Sequence, residues 1–157
     1  MQTELLEPPV NTPKKPKAAP AGEPDYVVGF LFRNGGDEVA LIRKQKPAWQ
    51  KGLLNGVGGK IEFDEHPLTA MIREFEEEAG PYIINWRCFA VMTLTHGNKI
   101  YFYQSHEIAE LESKTEEEVS WYPVAHLRQY GVIQNLNWLV PLALDEDGSV
   151  AEIKHLS

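Results

Sequence analysis

Apolar residues come in blocks along this chain, and the spacing inside each block sets the element it predicts. Residues 26–32 are apolar throughout and rich in β-formers, which predicts a buried strand. Asn34-Gly35-Gly36-Asp37 is a turn cluster, and residues 39–43 form the returning strand. Residues 47–59 hold Gly52, Gly56, Gly58 and Gly59 and are expected as a loop. The period then changes. Leu68, Ile72, Phe75 and Ala79 recur at i, i+4, i+7 and i+11, a core-facing stripe of a helix over Pro67–Ala79. Residues 86–95 and Lys99–Ser105 are aromatic and β-branched runs flanking His96-Gly97-Asn98, a hairpin. An acidic loop (111–118), a short strand (119–122) and a short helix (124–130) follow. A second apolar helix is expected over 135–144, ended by Asp145-Glu146-Asp147-Gly148. Strands interleaved with helices predict an α/β protein, a mixed sheet with helices packed on it.

Composition narrows the class. The chain has 157 residues and a formal net charge of −8. Its length suits one domain, placed at 25–145. An acidic balance argues against stable nucleic-acid binding, which needs a basic surface. A small anionic substrate is still compatible, because a bound cation reverses the local sign of charge. The single cysteine, Cys88, forms no internal disulfide, no apolar run reaches the roughly 20 residues that span a bilayer, and no secretory signal is visible. The expectation is a cytoplasmic protein off the membrane, monomer or homodimer. Residues 1–24 carry six of the eleven prolines plus Lys14, Lys15 and Lys17, and are expected as a flexible leader, either a docking peptide or a solvated tail. Residues 146–157 are expected as a loose tail. His66, His96, His106 and His126 show no zinc-like spacing with Cys88, and neither a P-loop nor a GxGxxG fingerprint is present.

The first helix carries candidate chemistry. Glu74, Glu77 and Glu78 fall at i, i+3 and i+4, away from the apolar stripe, so their side chains are neighbours. Like charges at this spacing destabilise a helix by a few tenths of a kcal/mol per pair. Such a face is either solvated or gathered on a hard divalent cation, which takes oxygen ligands together with substrate phosphates.

The residues ahead of the helix decide between these readings. Gly59, Glu65, Arg73-Glu74, apolar Phe75, Glu77-Glu78 and Gly80 stand at the spacing G-x5-E-x7-R-E-U-x-E-E-x-G, U being apolar. The seven fixed positions would match by chance about once in 10⁸ starting points at roughly 6–7% usage each. The pattern resembles the Nudix box, and the strands around it resemble that family's α/β/α sandwich. The box closes on Pro81 where the family has an apolar residue; with Gly80 it reads as a helix stop. The resemblance implies hydrolysis of a nucleoside diphosphate linked to another group, with Mg²⁺ (or Mn²⁺) held by Glu74, Glu77, Glu78 and the carbonyl of Gly58. It makes Arg73 and Glu65 largely positional, Arg73 holding catalytic carboxylates through its fork. The general base is Glu77 or one of Glu116, Glu117 and Glu118.

Leu54-Asn55-Gly56-Val57-Gly58-Gly59-Lys60 resembles the branch that hydrolyses oxidised purine nucleoside triphosphates. That resemblance gives Asn55 the base to hydrogen-bond, with Asn135 as a second base-reading group where the branch often has acidic residues. Lys60 is a candidate phosphate contact or a surface lysine. Phe89 and Trp138 are each either base-stacking or core. The substrate expected is a (d)NTP, cut to the monophosphate and pyrophosphate. ADP-ribose, a dinucleoside polyphosphate or another diphosphate derivative is the alternative, as is a nucleotide sensor without turnover.

Overall fold

A computed structural model describes residues 22–145 and 147–154. The Pro/Lys-rich segment over 1–21 lies outside them, so the expected leader is not tested. Eight strands form one mixed sheet: β1 (Tyr26–Arg33), β2 (Glu38–Arg43), β3 (Leu54–Asn55), β4 (Val57–Lys60), β5 (Arg87–Thr93), β6 (Lys99–Ser105), β7 (Val119–Pro123) and β8 (Ala151–Lys154). The main path runs β3-β2-β1-β6-β5-β8, with β4 on β1 and β7 on β2. The β1–β6 and β5–β8 pairs are parallel, and the others antiparallel. Two helices pack on it, α1 (Pro67–Ala79) and α2 (Leu136–Leu144).

β1 is apolar throughout because both its faces are covered. Val27 and Leu31 join the core under α1, with Met71, Ile72, Phe75 and Trp86. Phe30 and Phe32 join the core under α2, with Leu136, Leu139, Val140 and Ala143. Helix, sheet, helix is the layering. A register shift in β5 between Cys88 and Ala90 adds a residue to the strand, and Phe89 and Ala90 both enter the α2-side core.

Two local expectations are corrected. The 47–59 loop contains a 3-10 turn (Ala48–Gln50), β3 and the start of β4. Glycine-rich sequence reads as loop, yet here Gly58 and Gly59 lie opposite Val28 and Val27 in the ladder. The expected loose tail contains β8, whose register sets Ala151 beside Ala90 and Ile153 beside Met92. That pairing joins residues 61 positions apart, which no local pattern signals. The short helix expected at Val124–Tyr130 is present, as a 3-10 helix interrupted at His126. Among the described residues no helix is long and apolar enough to cross a membrane.

Candidate active site

The setting of α1 determines which glutamate faces what. The His66 imidazole accepts from the Leu68 N–H at 3.1 Å and caps the start, and Pro67 follows where no donor is needed. Gly80 stops the helix at φ 107° and donates its N–H to the Glu76 carbonyl. Leu68, Ile72, Phe75 and Ala79 are all buried, and Phe75 packs on Trp86 at 5.2 Å between ring centres. With that stripe fixed inward, Glu74 and Glu78 turn toward β4, while Glu77 is more than half exposed.

β4 reaches these carboxylates because it carries no side chains there. A methyl on Gly59 would collide with the Glu74 carboxylate, and one on Gly58 with the Val27 carbonyl oxygen. The Gly58 amide faces the Glu78 carboxyl. Arg73 ties the loop before the helix to the helix itself. Its fork grips Glu65 through two 2.9 Å bonds, reaches Glu74 at 2.8 Å and the Lys60 carbonyl at 3.0 Å, and leans on Glu77 at 3.5 Å. Burial lowers its pKa but the Glu65 and Glu74 hydrogen bonds outweigh it, so the guanidinium stays charged. Arg73 therefore positions carboxylates, as does Glu65, which also accepts from the Glu62 N–H.

Electrostatics mark Glu78 as the strained member. Its Oε1 is buried and accepts no hydrogen bond. Burial first, then the charge of Glu74, pushes its pKa up to about 7, with Lys44 pulling the other way and Glu117 adding to the rise. Glu74 is raised too, again chiefly by burial, with Arg73 opposing. A buried carboxyl oxygen without a donor, beside a second carboxylate, fits a hard cation. Among the described residues no three such side chains are gathered into an ion cage. Like charges one turn apart repel, and Arg73 draws Glu74 and Glu77 to itself.

The second acidic run is split by burial. Glu116 and Glu118 are exposed and Glu117 is buried. Glu117 Oε2 accepts from the Gln45 N–H at 2.6 Å and the Lys46 N–H at 3.3 Å, and Oε1 pairs with Lys44 Nζ at 3.2 Å. Burial alone would raise its pKa, yet these donors hold it below the ordinary value. Its oxygens are engaged, which suits a clamp on the chain at 44–46 better than a proton acceptor. Lys44 is the residue that sequence reasoning missed. It faces both Glu117 and Glu78, and no motif announces it.

The other sequence-predicted residues separate clearly. Asn55 ends β3, donates Nδ2 to Gln50 Oε1 at 3.2 Å and accepts the Gly56 N–H at 2.7 Å. β3 lies beside the chain leading to α2, with Leu54 bridged to Val132 and the Ile133 N–H donated to the Leu54 carbonyl. Asn135, at the start of α2, has a buried Oδ1 with no hydrogen-bond partner. Lys60 is exposed at the end of β4. Phe89 is a core residue, 2% exposed and packed between Phe30 and Phe102, so it presents no face for stacking. Trp138 is about half exposed on α2.

A glycine-bearing strand laid against a carboxylate-faced helix on an α/β/α sandwich is a hydrolase family's architecture in this chain. The sequence profile of the NUDIX domain matches residues 23–139. The chain belongs to that family. It is 38% identical over 50 residues to the 8-oxo-dGTP diphosphatase of Escherichia coli (strain K12), a stretch covering 32% of this chain and 39% of that relative's length. Among solved structures, MutT from Bacillus halodurans superposes with a TM-score of 0.67 at 19% identity, covering 85% of this chain and 90% of that one. The NUDIX domain of Shewanella oneidensis NrtR, solved with ADP ribose, gives 0.67 at 17% identity, covering 80% and 88%. These two likenesses speak for the fold.

Proposed function

We propose that this chain is a Mg²⁺-dependent pyrophosphohydrolase of a nucleoside triphosphate, oxidised purine nucleotides included, releasing the monophosphate and pyrophosphate. The observation that carries the reading is the buried, donorless Glu78 oxygen beside Glu74 against the bare backbone of Gly58–Gly59. Glu74, Glu77, Glu78 and the Gly58 carbonyl would hold the ion; Mn²⁺ meets the same oxygen donors. When bound, the ion neutralises the diphosphate and lowers the pKa of an attacking water. Glu77 is the general base. It is 58% exposed with one long contact at 3.5 Å, so one oxygen would meet the ion while the other takes a proton from water. Arg73 and Glu65 keep the helix face in register with the loop before it. Lys60 meets a phosphate at the open end of β4. Asn55 and the unpaired Asn135 Oδ1 read the base.

Pyrophosphate release from a panel of natural and oxidised dNTPs, with ADP-ribose and a dinucleoside polyphosphate alongside, tests the reading. Glu77→Gln is expected to lower kcat by roughly 10²–10⁴-fold, the usual worth of a general base, with the melting temperature nearly unchanged. Cleavage of ADP-ribose alone would replace the triphosphate reading. Wild type and mutant equally inert on every substrate would replace it with a nucleotide sensor.

A further inference from the structure

Trp49 is 69% exposed, on the 3-10 turn Ala48–Gln50 between β2 and β3. Its neighbour Gln50 is the residue that holds Asn55. The orientation of both amides follows from one backbone group. The Gly56 N–H can only donate, so the Asn55 atom facing it is the oxygen. The atom Asn55 turns to Gln50 is then its nitrogen, which requires the Gln50 oxygen in reply. What this relay leaves unused is a set of N–H groups, one on Asn55 and two on Gln50.

The turn is also anchored. The Gln50 N–H is donated to the Pro47 carbonyl, the Leu53 N–H to the Gln50 carbonyl, and the Lys44 N–H to the Leu53 carbonyl, each at 2.9 Å. The Gly52 N–H closes the base on the Lys44 carbonyl at 2.8 Å, and Glu117 clips the amides of Gln45 and Lys46. The fixed frame thus sets the spare donors of Gln50 next to Asn55 and an exposed indole one residue along the same turn.

We propose that Trp49 and Gln50 form, with Asn55, the base-reading platform of this site: the indole stacks on the nucleobase, and the spare N–H groups select a base carrying a ring carbonyl over one carrying an amino group. This rests on the reading that the nucleobase lies at Asn55. An indole supplies a flat stacking partner for any base. Selectivity comes from the donors, because an amino group placed against N–H groups leaves polar groups unpaired.

IMP and AMP differ in this feature at one ring position and have no diphosphate to hydrolyse. Their binding with saturating Mg²⁺, followed by tryptophan fluorescence, separates recognition from turnover. IMP is expected to quench and to bind at least about tenfold more tightly than AMP. Trp49→Phe should lose most of the quench, whereas Trp138→Phe should keep it. Gln50→Leu should bring IMP and AMP within about twofold of each other; Gln50→Ala carries the same test if the leucine variant melts early. A wild-type quench in Trp49→Phe, an unchanged IMP to AMP ratio in both Gln50 variants, or no binding of either nucleotide overturns the proposal. IMP binding that depends on Trp49, in a protein that hydrolyses no dNTP, would overturn the hydrolase reading and leave this one standing.

Discussion

Gly58 and Gly59 are adjacent, and an added methyl group would harm them in different ways. At Gly58 the obstacle is the Val27 carbonyl in the paired strand, so only a shift of backbone relieves it. At Gly59 the obstacle is the far end of the Glu74 side chain, which is able to swing aside. Gly58→Ala should therefore cost more than about 4 kcal/mol, the range reserved for severe lesions, and read out as loss of a cooperative melt. Gly59→Ala should melt within a few degrees of wild type while metal affinity and activity fall roughly 10–100-fold, as for displaced metal-ligand geometry. Equal damage to stability from both would mean that Glu74 is rigidly held. The type of each box residue was legible from spacing alone. The contrast between the two glycines was not, because it depends on what lies opposite each one.

At the level of elements, the sheet is finished by a strand that local sequence conceals. β8 is four residues long, with two charged side chains outward and Ala151 and Ile153 packed against the α2-side core. Its sequence has no run long enough to signal a strand, and its partners in β5 lie 61 residues earlier. α1 was the opposite case: its apolar period, cap and stop are all local, and its predicted bounds match the structure. Truncation after Gly148 is expected to remove about 1–3 kcal/mol of stability, from the partial burial of Val150, Ala151 and Ile153 and the ladder bonds. Chemical denaturation measures the loss, and kcat should hold because β8 lies at the edge far along the sheet from β4. A collapse of kcat would place the C-terminal strand in the site's support.

For the whole molecule, protonation couples the site to stability. The Glu78 carboxyl moves from an ordinary 4.5 to about 7 on folding. Between those values the folded chain keeps a proton that the unfolded chain has released, so stability falls as pH rises through that window. Below it both states are protonated and above it both are charged, so the full penalty is present beyond about pH 7. Glu78→Gln removes this one contribution. In chelator its melting temperature should exceed that of wild type by a margin that grows from pH 4.5 to about 7 and then levels off. With Mg²⁺ at pH 8 the ordering should reverse, because only wild type gains the ion as a ligand of the folded state. A margin independent of pH would show that Glu78 is not the group strained by burial. The net charge of −8 points the same way at larger scale: it repels a polyanion, and a bound cation would offset that locally.

The sequence by itself determined the class of fold, the carboxylate face of α1 and the arginine that braces it. Those features rest on interactions within a turn or two of helix or on a fixed spacing, and a one-dimensional pattern records such distances directly. The tertiary structure decided the rest: the burial that strains Glu78, the donors that turn Glu117 into a clamp, the core place of Phe89, and the strands hidden in glycine and in the tail. Each depends on which distant segment comes to lie alongside, and so on what surrounds a side chain rather than on what the side chain is.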